Sequence, residues 1–252
     1  GDVYKRQEYA LPETGSQPKR SGGFSGGATA CGIRVSVEKR IFAVRPLTCG
    51  ARRTMKESWK PGTMIYPLPA VLVGCGDAPD NWNLLTVAWT GTVCTAPPMC
   101  YVSVRPERHS HALIARTGEF TINLTTAAMA RAVDWCGVRS GRDYDKFRET
   151  GLTPLRGAVV AAPALEESPV VVECRVRQIL PLGSHDMFLA EVVNVLVDDR
   201  YIDSATGRFD LERAGLVAYS HGEYFRLGEL IGHFGWSVRR RKIIVRERKG
   251  RR

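Results

Sequence analysis

The residues best suited to chemistry gather between Asn83 and Ser110, in the run NLLTVAWTGTVCTAPPMCYVSVRPERHS. Small hydroxyl side chains, Thr90, Thr92, Thr95 and Ser103, crowd one corner of it and are followed by Arg105, Arg108, His109 and Ser110. That composition suits a phosphate-bearing ligand. A blander reading stays open for each: the threonines and Ser103 as β-formers on a solvated face, Arg105 and Arg108 as surface charges at a helix start. His109-Ser-His111 raises metal chemistry, but with no third ligand in register a solvated helix is the better reading.

The elements that must position these residues follow from the pattern around them. Leu85, Val87 and Trp89 alternate with Thr86, Ala88 and Thr90, and Tyr101 and Val102 lead to Val104 after Ala96-Pro97-Pro98, so two half-buried strands meet at a proline corner. Pro106 suits the first turn of a helix that runs through Ile114 and stops at Gly118. Ile65–Cys75 reads as a first strand whose start is fixed by Pro67 and Pro69, returning through the turn formers at 76–81. Phe120–Leu124 is a short strand, and Thr125 or Thr126 can cap a helix over Ala127–Cys136, followed by a loop with a short helical turn over 140–147. Val170–Leu182 and Met187–Val197 form a long hairpin about Gly183-Ser-His-Asp186, the clearest element in the sequence. Strand returns without a crossover helix between every pair favour an antiparallel barrel over a doubly wound sheet. The Gly- and aromatic-rich stretch Leu211–Val238 is expected to pack on the barrel or on a partner subunit.

Charge and cysteine usage narrow the function classes. The chain of 252 residues carries +10, but residues 1–54 and 239–252 hold +6 and +8, leaving the body, 55–238, at −4. A nucleic-acid-binding domain would carry its basic patch on the folded body, so neither a nucleic-acid partner nor a membrane is expected, the apolar runs being only strand-sized. Seven cysteines show no CxxC pair and read as reduced thiols in a cytoplasmic protein. Residues 1–54 show no lasting periodicity and read as an unstructured or artefactual leader; Asp2–Gln7 resembles a translated sequencing adapter, which makes Met55 the expected initiator. A genuine disordered leader is the alternative. Residues 239–252 read as a basic tail.

Several motifs in one order then point further: Pro61–Pro67, Trp89-Thr-Gly-Thr92, Pro97-Pro-Met99, Ser103–Ser110, Gly137–Phe147, Gly183–Asp186 and Tyr219–Tyr224. Over about residues 55–238 the chain resembles the flavin reductase-like, FMN-binding split-barrel family, and within it the flavoredoxin branch. The resemblance implies a mainly β protein with short helices, a six-stranded antiparallel Greek-key split β-barrel, usually a homodimer with FMN near the subunit interface.

Carried over residue by residue, it implies that Trp89, Thr90, Gly91, Thr92, Val93 and Cys94 lie along the isoalloxazine edge, largely through backbone groups. Arg105 and Ser110, with His109, fall at the phosphate end, Lys146 is a second phosphate partner, and Asn123 meets a polar edge of the ring. His185 falls in the hairpin turn where NADH or NADPH would dock as a transient co-substrate. Hydride transfer to the flavin needs no general base, so His185 would position or select a donor. Electrons would pass to free flavin, ferric complexes or a partner protein. A flavoredoxin-type carrier that does not use NAD(P)H, or a non-catalytic module holding FMN, haem or pyridoxal phosphate, are the alternatives. No GxGxxG follows a strand, so a nicotinamide would bind on the flavin face, and Cys75 suggests no redox disulfide. Trp89 and Trp135 as core, Cys94, Cys100 and Cys136 as buried hydrophobes, and His221 and Tyr224 as supports of the C-terminal segment remain open.

Overall fold

The computed structural model describes residues 56–210 and 212–238; the leader, Met55 and the basic tail lie outside the described residues. In chain order the strands are β1 (Leu68–Pro69), β2 (Val71–Cys75), β3 (Asn83–Val87), β4 (Thr90–Thr95) and β5 (Pro98–Val104), then helix α1 (His109–Thr117), β6 (Glu119–Leu124), α2 (Ala130–Val138) and α3 (Lys146–Thr150). There follow β7 (Pro154–Arg156), β8 (Pro163–Leu165), the long pair β9 (Val170–Pro181) and β10 (Asp186–Val197), and the hairpin β11 (Val217–Ser220) and β12 (Glu223–Arg226).

Seven strands form one antiparallel sheet in the order β3-β2-β6-β9-β10-β5-β4. Its two outer strands are consecutive in the chain, so Ala88 and Trp89 join one end of the sheet to the other. The expected single strand through Leu85 and Trp89 is therefore bent into two, which is why the large sheet has seven strands where six were expected. The bend is stitched by Ser103 N–H donating to Trp89 O at 2.9 Å and Thr90 N–H to Ala88 O at 3.0 Å.

Both faces of β2 and β3 are buried, which explains why their sequences run apolar without strict alternation. Val71, Val73, Leu85 and Val87 point into a core with Val102, Phe120 and Phe188; Leu72 and Leu84 point the other way, against Val133 and Cys136 of α2. Burying side chains of this size stabilises by about 1.5–3 kcal/mol each. The opposite side of the sheet is less covered. Of β4, Thr92 and Val93 are exposed, and a register shift between Thr92 and Cys94 leaves Val93 bulged.

Several boundaries differ from expectation. Helix α1 begins at His109, three residues after Pro106, because Pro106 to Arg108 first close a turn in which Arg108 N–H donates to Arg105 O at 3.0 Å. It ends as expected at Gly118, whose φ of 67° is the left-handed C-cap conformation. Neither threonine caps α2. Thr126 precedes a 3₁₀ turn over Ala127–Met129 without a side-chain bond, and Thr125 Oγ1 donates instead to Ala70 O at 2.5 Å, tying β6 to the β1–β2 junction. Thr125→Val is expected to cost about 1 kcal/mol in urea unfolding through that lost bond. Asp145 caps α3, accepting from Phe147 N and Arg148 N. In the stretch 211–238, β11 pairs with β1 and β12, so this part packs on the body as expected, while Leu230, Ile231, Phe234 and Trp236 are exposed. No helix among the described residues is long and apolar enough to cross a membrane.

Candidate functional site

The end of β5 and the start of α1 build one wall of a cleft of about 370 Å³. Arg105, Arg108, His109 and Ser110 line it, with Asn83 and Leu85 of β3 beneath. The facing wall is the loop after α2, Arg139 to Asp143, together with Lys146 at the start of α3. Six permanent or potential cations thus meet two carboxylates, Glu107 and Asp143, and Glu107 is already paired with Arg105 at 2.9 Å. Helix α1 opens at this cleft with no side-chain cap and no acidic residue in its first turn. Uncapped first-turn N–H groups beside a cation cluster are suited to an anion.

Asn83 holds the two walls in register. Its amide Nδ2 donates to Ser110 Oγ at 2.8 Å, and Gly141 lies so close that an added Cβ would fall 2.2 Å from Asn83 Oδ1. Only glycine fits there. Lys146 is 3% exposed, and its ammonium donates to Cys136 O at 2.7 Å. Burial pushes that ammonium down from 10.5 to about 8, against the smaller opposing pull of the Cys136 and Cys75 thiols. Both thiols are pushed up to about 11 by burial, and so stay protonated. Burial first, then Arg142 and Lys146, hold His109 below the ordinary imidazole value. His109 therefore offers a hydrogen bond at neutral pH and no charge.

The ring end of the expected site is a second grouping. Trp89, at the bend into β4, stacks on His185 of the β9–β10 turn, with centroids 5.8 Å apart and planes at 27°. His185 Nδ1 meets Ser184 Oγ at 2.9 Å. Burial, then the charge of Arg105, push its imidazole below the usual value, and Arg105 is also part of the cleft lining. Thr90 is buried and spends its hydroxyl on Tyr101 O at 2.6 Å, whereas β4, last in the sheet, presents the backbone of Gly91, Thr92 and Val93 along its outer edge.

The structure thus brings Arg105, His109, Ser110 and Lys146 together around one cleft and stacks Trp89 on His185, which feels the charge of Arg105, while Thr90 to Cys94 run away from that end along β4. Asn123 is the correction. It is fully buried, its Nδ2 donates to Leu72 O and Thr121 Oγ1, and its Oδ1 accepts from Leu165 N, so its amide is spent on holding β6 to β2 and β8 and has nothing left for a ring edge. Asn83, Arg139, Gly141 and Arg142 were not identified from sequence. The Ser140-Gly-Arg-Asp143 turn was legible as a loop, but only the packing of α2 on β3 turns it to face α1. A smaller cavity of about 160 Å³, beside α2 and the β11–β12 hairpin, gathers none of the expected residues.

Residues 63–228 match the family described as "Flavin reductase like domain", and the chain belongs to that family. Among solved structures it is similar to the flavoredoxin of Desulfovibrio vulgaris (Miyazaki F), at 32% identity and a TM-score of 0.68 over 73% of this chain and all of that one. It is also similar to an FMN-binding protein from Thermus thermophilus solved with 1-cyclohex-2-enone, at 26% identity and a TM-score of 0.59 over 73% and 99% of the two chains. The reductase component of a 4-nitrophenol 4-monooxygenase/4-nitrocatechol 2-monooxygenase from Rhodococcus opacus is 30% identical over 111 residues, 43% of this chain and 55% of that protein. The split-barrel fold expected from sequence is the fold of these flavin proteins.

Proposed function

We propose that the protein is an FMN-binding oxidoreductase that takes electrons from NADH or NADPH and passes them to free flavin, a ferric complex or a partner protein. The observation that carries this reading is the cation-lined cleft at the start of α1, placed next to the Trp89–His185 stack. A planar, apolar group ending in a phosphate matches that pair of environments in both charge and shape. Bound there, the flavin would supply the two-electron chemistry. The chain's own part is to hold and exclude: Arg105, Arg142, Lys146 and the Ser110 hydroxyl grip the phosphate, and the β4 edge offers backbone groups to the ring. His185 positions the donor. With its imidazole held neutral it presents an uncharged face to a nicotinamide.

A flavoredoxin-type carrier reduced by another protein is the second reading, favoured by the likeness to the Desulfovibrio flavoredoxin over that protein's whole length. One experiment separates the two. The purified chain is loaded with FMN, its visible spectrum recorded, and NADH and NADPH are added without oxygen. Bleaching of the flavin band supports the reductase, bound flavin that neither donor bleaches supports the carrier, and a protein that takes up no FMN contradicts both.

Arg105→Ala is expected to weaken FMN binding by about 1.5–3 kcal/mol, the worth of one hydrogen bond to a charged group, measured by fluorescence titration. Unchanged affinity would remove Arg105 from the site. A homodimer is part of the proposal, supported by the apolar side chains exposed after β12, of which Ile231 is 89% and Phe234 fully accessible. A reducing, cytoplasmic setting is supported by five described cysteines that are all free.

A further inference from the structure

The proposed site has two ends, and each is carried on a different element. Ser110 and the cation cluster sit at the start of α1, while His185 sits in the turn between β9 and β10. The neighbours of these two residues meet. His111 Nε2 lies 2.8 Å from Asp186 Oδ2, and both side chains are largely buried, at 17% and 19% exposure. The imidazole is braced from the side by Phe188, edge-on at 5.0 Å, which is itself wholly buried. Asp186 is held by the backbone as well, in register with Val104 on one side and Pro181 on the other. Val104 precedes Arg105. A single pair thus fastens the helix that carries Ser110, the turn that carries His185 and the strand that leads into Arg105.

We propose that the His111–Asp186 pair is a clasp that fixes the distance between the phosphate-holding start of α1 and the His185 turn. His111 and Asp186 are then positioning residues for a ligand long enough to reach both ends, an inference that rests on the proposed binding of FMN. Neither touches the ligand. Because Ser110 and His111 are adjacent, as are His185 and Asp186, each consecutive pair divides its labour: one residue turns to the ligand and the next to the opposing element. Loss of the clasp leaves both half-sites formed but lets them drift relative to one another, so only a ligand that spans them is affected.

The full chain as wild type, His111→Ala, Asp186→Ala, the double variant and His111→Gln tests this with two probes. FMN spans both ends and is followed by quenching of its fluorescence; inorganic phosphate fills the cation end alone and is followed by its stabilisation of the protein against heat. Each single variant is expected to bind FMN about tenfold more weakly and the double no worse than either single, the non-additivity of a broken pair. His111→Gln, which can still reach Asp186 with an amide N–H, is expected to retain FMN within about threefold of wild type, since the shared hydrogen bond is kept. Stabilisation by phosphate is expected to be the same in all five. Unchanged FMN affinity, additive losses, or a loss of phosphate stabilisation in step with FMN would each overturn the clasp, the last by showing a general structural role. Wild-type protein that responds to phosphate and takes up no FMN would overturn the proposed function, and the clasp with it.

Discussion

Lys146→Met is expected to give a protein that melts higher and holds FMN far less well. The ammonium is buried, and holding it at about 8 in place of 10.5 corresponds to a penalty of roughly 3 kcal/mol. Replacing it with an apolar chain of similar length removes that penalty but leaves Cys136 O without its donor, at about 1 kcal/mol. The net gain of roughly 2 kcal/mol should raise the melting temperature of the ligand-free protein by roughly 4–8 °C. FMN affinity should fall roughly ten- to hundredfold, because a charged donor to the phosphate is gone. Such opposition between stability and binding marks a group kept for its ligand. A variant that melts lower and binds as before would show Lys146 to be structural.

The same lysine gives a pH signature. The unfolded chain keeps its lysine proton up to about 10.5 and the folded chain releases it through about 8, so the unfolded state binds more protons in between and stability rises with pH there. Cys75 and Cys136 work the other way: unfolded they lose protons from about 9, folded only near 11, so stability falls above 9. Ligand-free wild type should therefore gain stability between pH 8 and 9, and Lys146→Met should not. FMN binding should weaken over the same window as the ammonium loses its charge. Denaturant midpoints and fluorescence titrations at pH 7, 8 and 9 check both.

Gly141→Ala is expected to reduce FMN affinity about as strongly, by roughly hundredfold, by a different route. The added Cβ would meet the Asn83 carboxamide at 2.2 to 3.0 Å, and Asn83 is itself buried and bonded to Ser110. Either the Arg139–Asp143 loop moves away from α1 or Asn83 turns and releases Ser110, and in both cases donors are displaced from the proposed phosphate position. The double variant Gly141→Ala with Asn83→Ala separates the two. Relief of the clash should leave the double variant melting above Gly141→Ala while affinity stays low, for want of the bond that orients Ser110. Full recovery of affinity in the double variant would show that loop placement alone matters.

The β9–β10 hairpin could be read in the sequence because alternation over a long span and a Gly-containing turn leave few other solutions. The bend at Ala88–Trp89 could not. Alternation continues through it, and what breaks the strand is closure of the sheet on itself, a long-range constraint absent from any local window. In the same way Thr125 and Thr126 have the right type and place for a cap, yet Ala70 O, fifty-five residues away, takes the Thr125 hydroxyl. Motif order singles out Arg105, Ser110 and Lys146, and the fold gathers all three around one cleft. Asn123 was misassigned because an asparagine in a strand beside a ligand and one that bridges three strands look alike until its hydrogen bonds are counted. Asn83 and Gly141 signal nothing separately, and their pairing exists only once α2 lies on β3.

The proposed function turns on whether the cleft at the start of α1 holds a flavin by its phosphate. Titration of the ligand-free protein with FMN and with riboflavin, which is the same ring and side chain without the phosphate, tests it most directly. FMN is expected to bind at least about a hundredfold tighter than riboflavin, from two or more charged hydrogen bonds to the phosphate, and the gap should narrow in Arg105→Ala and Lys146→Met. Equal affinity for the two flavins, or a gap that neither variant changes, would contradict it.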